Sequence, residues 1–337
     1  MDGVLVIDKP AGPTSHDVVA RVRRAIGERR IGHTGTLDPA ASGVLPLVIG
    51  RATRLAQFLS ARDKSYDATI RLGSSTDTGD AQGRTVGVPH ADVLPSRAAI
   101  AAALETLRGT YLQQPPEYSA KRIDGTRSYK LARARARSLQ HHDASGTRRV
   151  ATGGEDHAPS TARPAPVSVT AHAVDLQHLD GDIVTLKVDC SAGFYVRSLA
   201  HDLGVRLGTG AHLETLRRTR SGDFTLGDSV ALDAVERDRD GAMTGFVPMA
   251  GLLRGLSSVV LTAEGVRHAC HGRDLGPADL APESSMPEDV SGIDGGAGSA
   301  PGPARPDWIR LLDRDGALLG LAQPAAARVL HPSVVLV

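Results

Sequence analysis

The runs Val167-Ser168-Val169-Thr170-Ala171-His172-Ala173-Val174-Asp175-Leu176 and Ile183-Val184-Thr185-Leu186-Lys187-Val188 decide the fold. Both read as strands, and only a short polar stretch containing Gly181 lies between them, so strand follows strand with no helix intervening. Further out, Val4-Leu5-Val6-Ile7 and Val44-Leu45-Pro46-Leu47-Val48-Ile49 are apolar strand-like runs, and Tyr66 to Leu72 alternates like a half-buried strand. Pro46 marks its run as an edge strand or a bulge. Helices are expected from Ser15, read as an N-cap, through the stripe Val18, Val19, Val22 and Ile26, and over Ala52–Ala61, Ala98–Leu107 and Tyr195–Leu207. Elements in this order, without regular βαβ alternation, indicate an α+β fold.

Two stretches lose apolar periodicity, about 133–166 and about 276–306, and read as a mobile insertion and a low-complexity loop. The second interrupts a small C-terminal unit with a helix over Ala263–His271 and strands at Trp308–Leu312 and Leu318–Ala322. The boundaries expected are therefore a main domain over 1–245 and a small one over 250–337.

A hydrophobic fraction of 41% with 23% charged residues is ordinary for a globular chain, and no apolar run reaches the roughly 18 residues of a membrane span. Cys190 and Cys270 have no CxxC spacing, which disfavours disulfide or zinc frameworks and favours a reducing cytoplasm. Net charge is only +1, yet nine basic residues face two acidic ones between Lys121 and Arg149, and six acidic residues face one basic between Asp274 and Pro306. Such segregation suits a protein that meets a polyanion on one face.

No metal motif is present: His-Glu-x-x-His is missing, the Asp77–Asp80 run lacks EF-hand spacing, and His141-His142 read as a solvated pair. No phosphate loop, dinucleotide fingerprint or GxSxG elbow occurs. The octet Gly32-His33-Thr34-Gly35-Thr36-Leu37-Asp38-Pro39 remains. Its glycines allow close backbone approach, and Pro39 biases Asp38 away from helix. One carboxylate so presented fits a nucleophile, a general base or a plain turn residue.

Six separated segments carry a resemblance. They are Asp8-Lys9-Pro10-Ala11-Gly12-Pro13-Thr14-Ser15; the octet continued through Pro46; Lys64-Ser65-Tyr66 with Leu72-Gly73 and Thr76–Asp80; Gln114–Ala120; Cys190–Arg197; and Gly210–Gly222. In this order the chain, from about Val4 to Phe224, closely resembles the bacterial tRNA pseudouridine-55 synthases, the TruB family. The C-terminal strands more weakly resemble a reduced PUA-type RNA-binding domain.

The resemblance implies a mixed, largely antiparallel sheet with flanking helices, plus the small PUA-like β domain. It implies isomerisation of uridine 55 in the tRNA T loop, with no cofactor, no metal and no obligatory protein partner, by a monomer. Asp38 matches the family's nucleophile, Tyr66 the tyrosine that stacks on the target base, and Arg197 the arginine paired with the catalytic carboxylate. His33 matches the histidine that displaces the target uridine, while Tyr195 and Leu216 match residues lining the uridine pocket. Lys9, Thr36 and Arg218 fall in the matching blocks as substrate- or RNA-binding residues. Ser42 stands where the family usually has threonine, and the insertion and the acidic loop are larger departures. A tRNA-folding chaperone with secondary modification, and an RNA-guided synthase needing partner proteins, are the competing readings.

Overall fold

The computed structural model describes residues 1–87, 94–119, 121–123, 125–134, 163–284, 308–325 and 328–336. Among them, one large sheet is built from β1 (Gly3–Lys9), β2 (Ile31–His33), β3 (Ser42–Ile49), β4 (Lys64–Leu72), β5 (Gly109–Gln113), β6 (Val167–Asp180), β7 (Ile183–Cys190), β8 (Ala211–Ser221), β9 (Phe224–Thr225), β10 (Ser229–Ala231) and β11 (Val247–Pro248). Its main path runs β10-β1-β3-β8-β4-β7-β6-β5; β2 adds to β3, β9 to β8 and β11 to β1. Only β1–β10 and β3–β8 are parallel. The two runs that open the sequence reading form the β6–β7 hairpin, longer than expected at both strands.

Burial explains why β1 and β3 are unbroken apolar runs rather than alternating ones. A strand covered on both faces has no position for a polar side chain. Leu5, Ile7, Leu45 and Leu47 pack with Val18 and Val22 of α1 (Ser15–Ile26), Ile100 of α2 (Arg97–Glu105) and Leu199 and Leu203 of α3 (Val196–Leu207). Their neighbours Val4, Val6, Val44 and Val48 point the other way, onto Leu252, Leu253, Leu318, Leu321 and Leu336. The second set belongs to the C-terminal unit, whose strands β12 (Ser258–Val260), β13 (Ile309–Leu312), β14 (Leu318–Ala325) and β15 (Val329–Val335) pair in that order beside α4 (Ala263–Cys270). The chain thus stacks helices, large sheet and small sheet.

Four expectations change. Pro46 lies inside the sheet, opposite Val6 of β1. Its carbonyl accepts from Thr34 N at 3.0 Å, on the side away from β1, so its donorless nitrogen faces the gap between the β2 and β8 pairings. Ser15 does not cap α1: Thr14 does, in a capping box where Asp17 N donates to Thr14 Oγ1 (3.1 Å) and Thr14 N to Asp17 Oδ2 (2.9 Å). The first part of the low-complexity stretch is core, not loop: Leu280 and Ala281 are buried, and Asp279 binds His268 Nδ1 at 2.9 Å. Likewise residues 128–134 are helical, so order reaches into the expected insertion. The pair His141-His142, and the rest of both stretches, lie outside the described residues. Strands β2, β5, β8, β9, β10, β11, β12 and β15 had no expectation.

Candidate active site

Asp38 sits on the loop between β2 and β3, its side chain 42% exposed and its carboxylate 3.0 Å from Arg197 Nε. Arg197 belongs to the first turn of α3, where a cation opposes the helix dipole. The surroundings offset this: Nη1 donates to Thr78 O at 2.9 Å and Nη2 to Tyr118 O at 2.7 Å, while Asp80 Oδ2 is 4.0 Å from Nε. A buried guanidinium whose three nitrogens are all directed is a rigid mount for one carboxylate. The blocks around Thr78 and Tyr118, quoted above without a role, supply that mount.

The loop itself is held from beneath. Lys9 is fully buried and its Nζ donates to Pro10 O (2.9 Å), Pro39 O (3.2 Å) and Ala41 O (2.6 Å). Burial pushes this ammonium down to about 8, with Asp38 opposing the shift and Arg218 adding to it. Arg218, 1% exposed, donates from Nε to Val44 O (2.7 Å) and from Nη2 to Gly35 O (3.0 Å). Lys9 and Arg218 are thus loop clamps that donate to backbone carbonyls, because a buried cation must find acceptors where it lies.

Ser15, missed as a site residue, is the third clamp. Its Oγ accepts from Leu37 N at 2.9 Å and donates to Leu37 O at 3.1 Å, fixing the residue before Asp38 by both peptide groups. Gly12 N adds a bond to Pro39 O at 2.8 Å. The segment from Asp8 to Ser15 is thus the bed of the Asp38 loop, and its density of loop formers was the readable signal.

Tyr66 on β4 stands opposite Arg218 of β8 and Val188 of β7, and Leu216 stands opposite Ala68. With a two-residue period, Tyr66, Ala68, Leu216 and Arg218 share one face. Tyr66 is only 6% exposed, so its ring lies inside the site and not on an open platform. Burial raises its hydroxyl, Arg218 pulls it back and Asp38 adds to the rise, so the phenol is neutral near pH 7. Tyr195 precedes α3; its backbone N donates to Gln113 Oε1 (2.8 Å), and Gln113 Nε2 donates to its carbonyl (3.1 Å). Its hydroxyl is also raised by burial, with Arg197 opposing and Asp38 reinforcing. Asp38, Arg197, Tyr66 and Tyr195 therefore share one electrostatic neighbourhood. His33, on β2, meets His16 edge to face at 5.2 Å between centroids, and Thr36 is exposed at the loop tip. Among the described residues no cluster could hold a metal ion, and no helix is long and apolar enough to cross a membrane.

A partly exposed carboxylate held by a buried arginine, in one electrostatic neighbourhood with a buried tyrosine and carried on this mixed sheet, fits the class of pseudouridine synthases. A family profile described as "TruB family pseudouridylate synthase (N terminal domain)" matches residues 23–144, and one described as "tRNA pseudouridylate synthase B C-terminal domain" matches 197–248. The chain is 38% identical to tRNA pseudouridine synthase B of Solibacter usitatus (strain Ellin6076), covering 100% of both. It is 46% identical to the same-named protein of Gloeobacter violaceus (strain ATCC 29082 / PCC 7421) over 74% of this chain and 77% of that one. In structure it resembles a chain of a Cbf5-Nop10-Gar1 complex, with a TM-score of 0.66 at 24% identity, over 99% of this chain and 85% of that one; this likeness bears on the fold alone. The chain belongs to the TruB family of pseudouridylate synthases.

Proposed function

We propose that this protein isomerises uridine 55 in the T loop of tRNA to pseudouridine, with Asp38 as the nucleophile. The ion pair between Asp38 and the immobilised Arg197 carries the reading. It holds a partly exposed carboxylate, on a loop clamped at Leu37, Pro39 and Ala41, close enough to Tyr66 to act on its hydroxyl. The carboxylate attacks the uridine at C1′ or C6; the N–glycosidic bond breaks, the base turns, C5 bonds to C1′, the bond to Asp38 breaks to return the carboxylate, and C5 loses a proton while N1 gains one. Nothing is oxidised or reduced overall, so the reaction calls for no redox cofactor.

The target base is folded into the T loop and must leave it first, at a cost of a few kcal/mol. In this reading His33, beside the Asp38 loop, takes the vacated position. Tyr66 and Tyr195 hold the detached base, Leu216 lines the pocket, and Thr36 at the loop tip meets RNA. The protein acts as a monomer without a protein partner.

The test is turnover on a T-stem-loop RNA. Asp38→Asn keeps the shape and removes the nucleophile, so pseudouridine formation ceases while RNA affinity stays within about tenfold, 1.4 kcal/mol. Retained turnover overturns the nucleophile assignment. A chaperone-only role predicts, instead, that tRNA refolding is the sole activity of the wild type.

A further inference from the structure

Three arginines lie along the seam between the two units. Arg310 on β13 is 8% exposed; Nη2 donates to Ala250 O at 2.8 Å, and Nε is buried with no acceptor. Burial lowers its proton affinity, and the one charge acting on it is another cation, Arg254, which lowers it further. Arg62 brings a third guanidinium: its Nη2 lies 3.9 Å from where a Cβ on Gly255 would stand. Among the described residues, none of the three forms an ion pair.

The backbone that presents them is itself unusual. Leu253 has φ 57, a left-handed conformation unfavourable for leucine, and is held there by complete burial in the seam core. Leu256 N closes the turn onto Leu253 O at 2.9 Å. The result is an exposed Arg254 beside a buried Arg310 and the half-buried Arg62. A desolvated guanidinium beside a like charge is unfavourable until an anion arrives, and forked donors match phosphate oxygens well.

We propose that Arg62, Arg254 and Arg310 form a site for a backbone phosphodiester of the bound RNA, outside the loop that enters the Asp38 site. Arg62 precedes β4 and its carbonyl accepts from Lys64 Nζ at 2.6 Å, so the strip starts near the catalytic face. Arg254 and Arg310 come from the unit on the opposite face of the sheet, so they meet a different stretch of RNA. Forked cations with no acidic partner suit the phosphodiester backbone, which takes most protein–nucleic acid hydrogen bonds.

The inference rests on RNA being the substrate, and two RNAs separate the two ideas. With full-length unmodified tRNA, Arg254→Ala weakens binding several-fold, and the slope of log K against log salt becomes shallower by about 0.9 for the lost phosphate contact. With the isolated T-stem-loop, its binding and turnover match the wild type. Arg254→Lys keeps the charge and most of the affinity. Arg310→Met raises the melting temperature of the free protein, by removing a buried unpaired cation, while lowering tRNA affinity. An unchanged salt slope, or equal loss on both RNAs, overturns the site. Absence of turnover on either RNA with the wild type overturns the substrate reading instead.

Discussion

Ser15 places one hydroxyl on both peptide groups of Leu37. Ser15→Ala leaves a buried donor and acceptor unpaired, which costs about 1–3 kcal/mol of stability. Because the released residue adjoins Asp38, kcat falls about ten- to a hundredfold with little change in KM, as expected when the reacting group is displaced by an ångström. Steady-state kinetics on the stem-loop read this, and Ser15→Thr restores part of the rate. Lys9 gives a pH signature. Its ammonium titrates near 8 in the folded protein against 10.5 for the free group. Below pH 8 both states are protonated and the burial penalty is complete. Between 8 and 10.5 the unfolded chain holds a proton that the folded one has lost, so this group makes stability rise with pH. Urea midpoints across that window rise less in Lys9→Met than in the wild type.

Elements meet through backbone at the loop's far end. Gly43 opens β3 at φ +101, and a Cβ there would stand 2.1 Å from Arg218 O of the adjoining β8. Gly43→Ala forces β3 and β8 apart and yields insoluble protein. Gly35, at φ +85, would bring its Cβ no nearer than 3.3 Å to Arg218 Nη1 and Lys64 Cε, side-chain ends that can move. Gly35→Ala therefore folds, at a cost of about 1–2 kcal/mol for the left-handed backbone, and expression with thermal melts separates the two. At this scale the sequence was most readable: five strands of the large sheet and its three covering helices were legible from period and breakers, while β8, at the middle of the sheet, was not. Asp38 and Arg197 were legible only through the matching blocks, since nothing local joins a loop carboxylate to an arginine 159 residues later. Lys9 and Arg218 were named through the same blocks, without a sign of their burial. Only tertiary packing reveals that each is sealed under the loop. Ser15 misled because a serine before an apolar stripe is a good cap, and Thr14 beside it is another.

Across the whole molecule, the large sheet depends on the small one. Val4, Val6, Val44, Val48 and Leu55 are each fully buried against the C-terminal side. Each such side chain contributes about 1.5–3 kcal/mol when removed from water. Trp308, the single tryptophan, stands edge to face with Phe58 at 4.8 Å and reports on this seam. In urea its emission changes together with far-ultraviolet circular dichroism, in one transition. An earlier tryptophan transition would mean that the two units part before they unfold.

Strand β8 lies between β3 and β4, although seven strands of the sheet precede it in the chain. Before it inserts, the β1–β3 ribbon and the β4–β7–β6–β5 ribbon each present an unpaired edge. A nascent chain emerging from the ribosome cannot join them until Ser221 has cleared the exit tunnel, and Arg218, which braces the catalytic loop, arrives with that same strand. Closure of the sheet and completion of the site are therefore one late event, and truncated translation products are both inactive and adhesive.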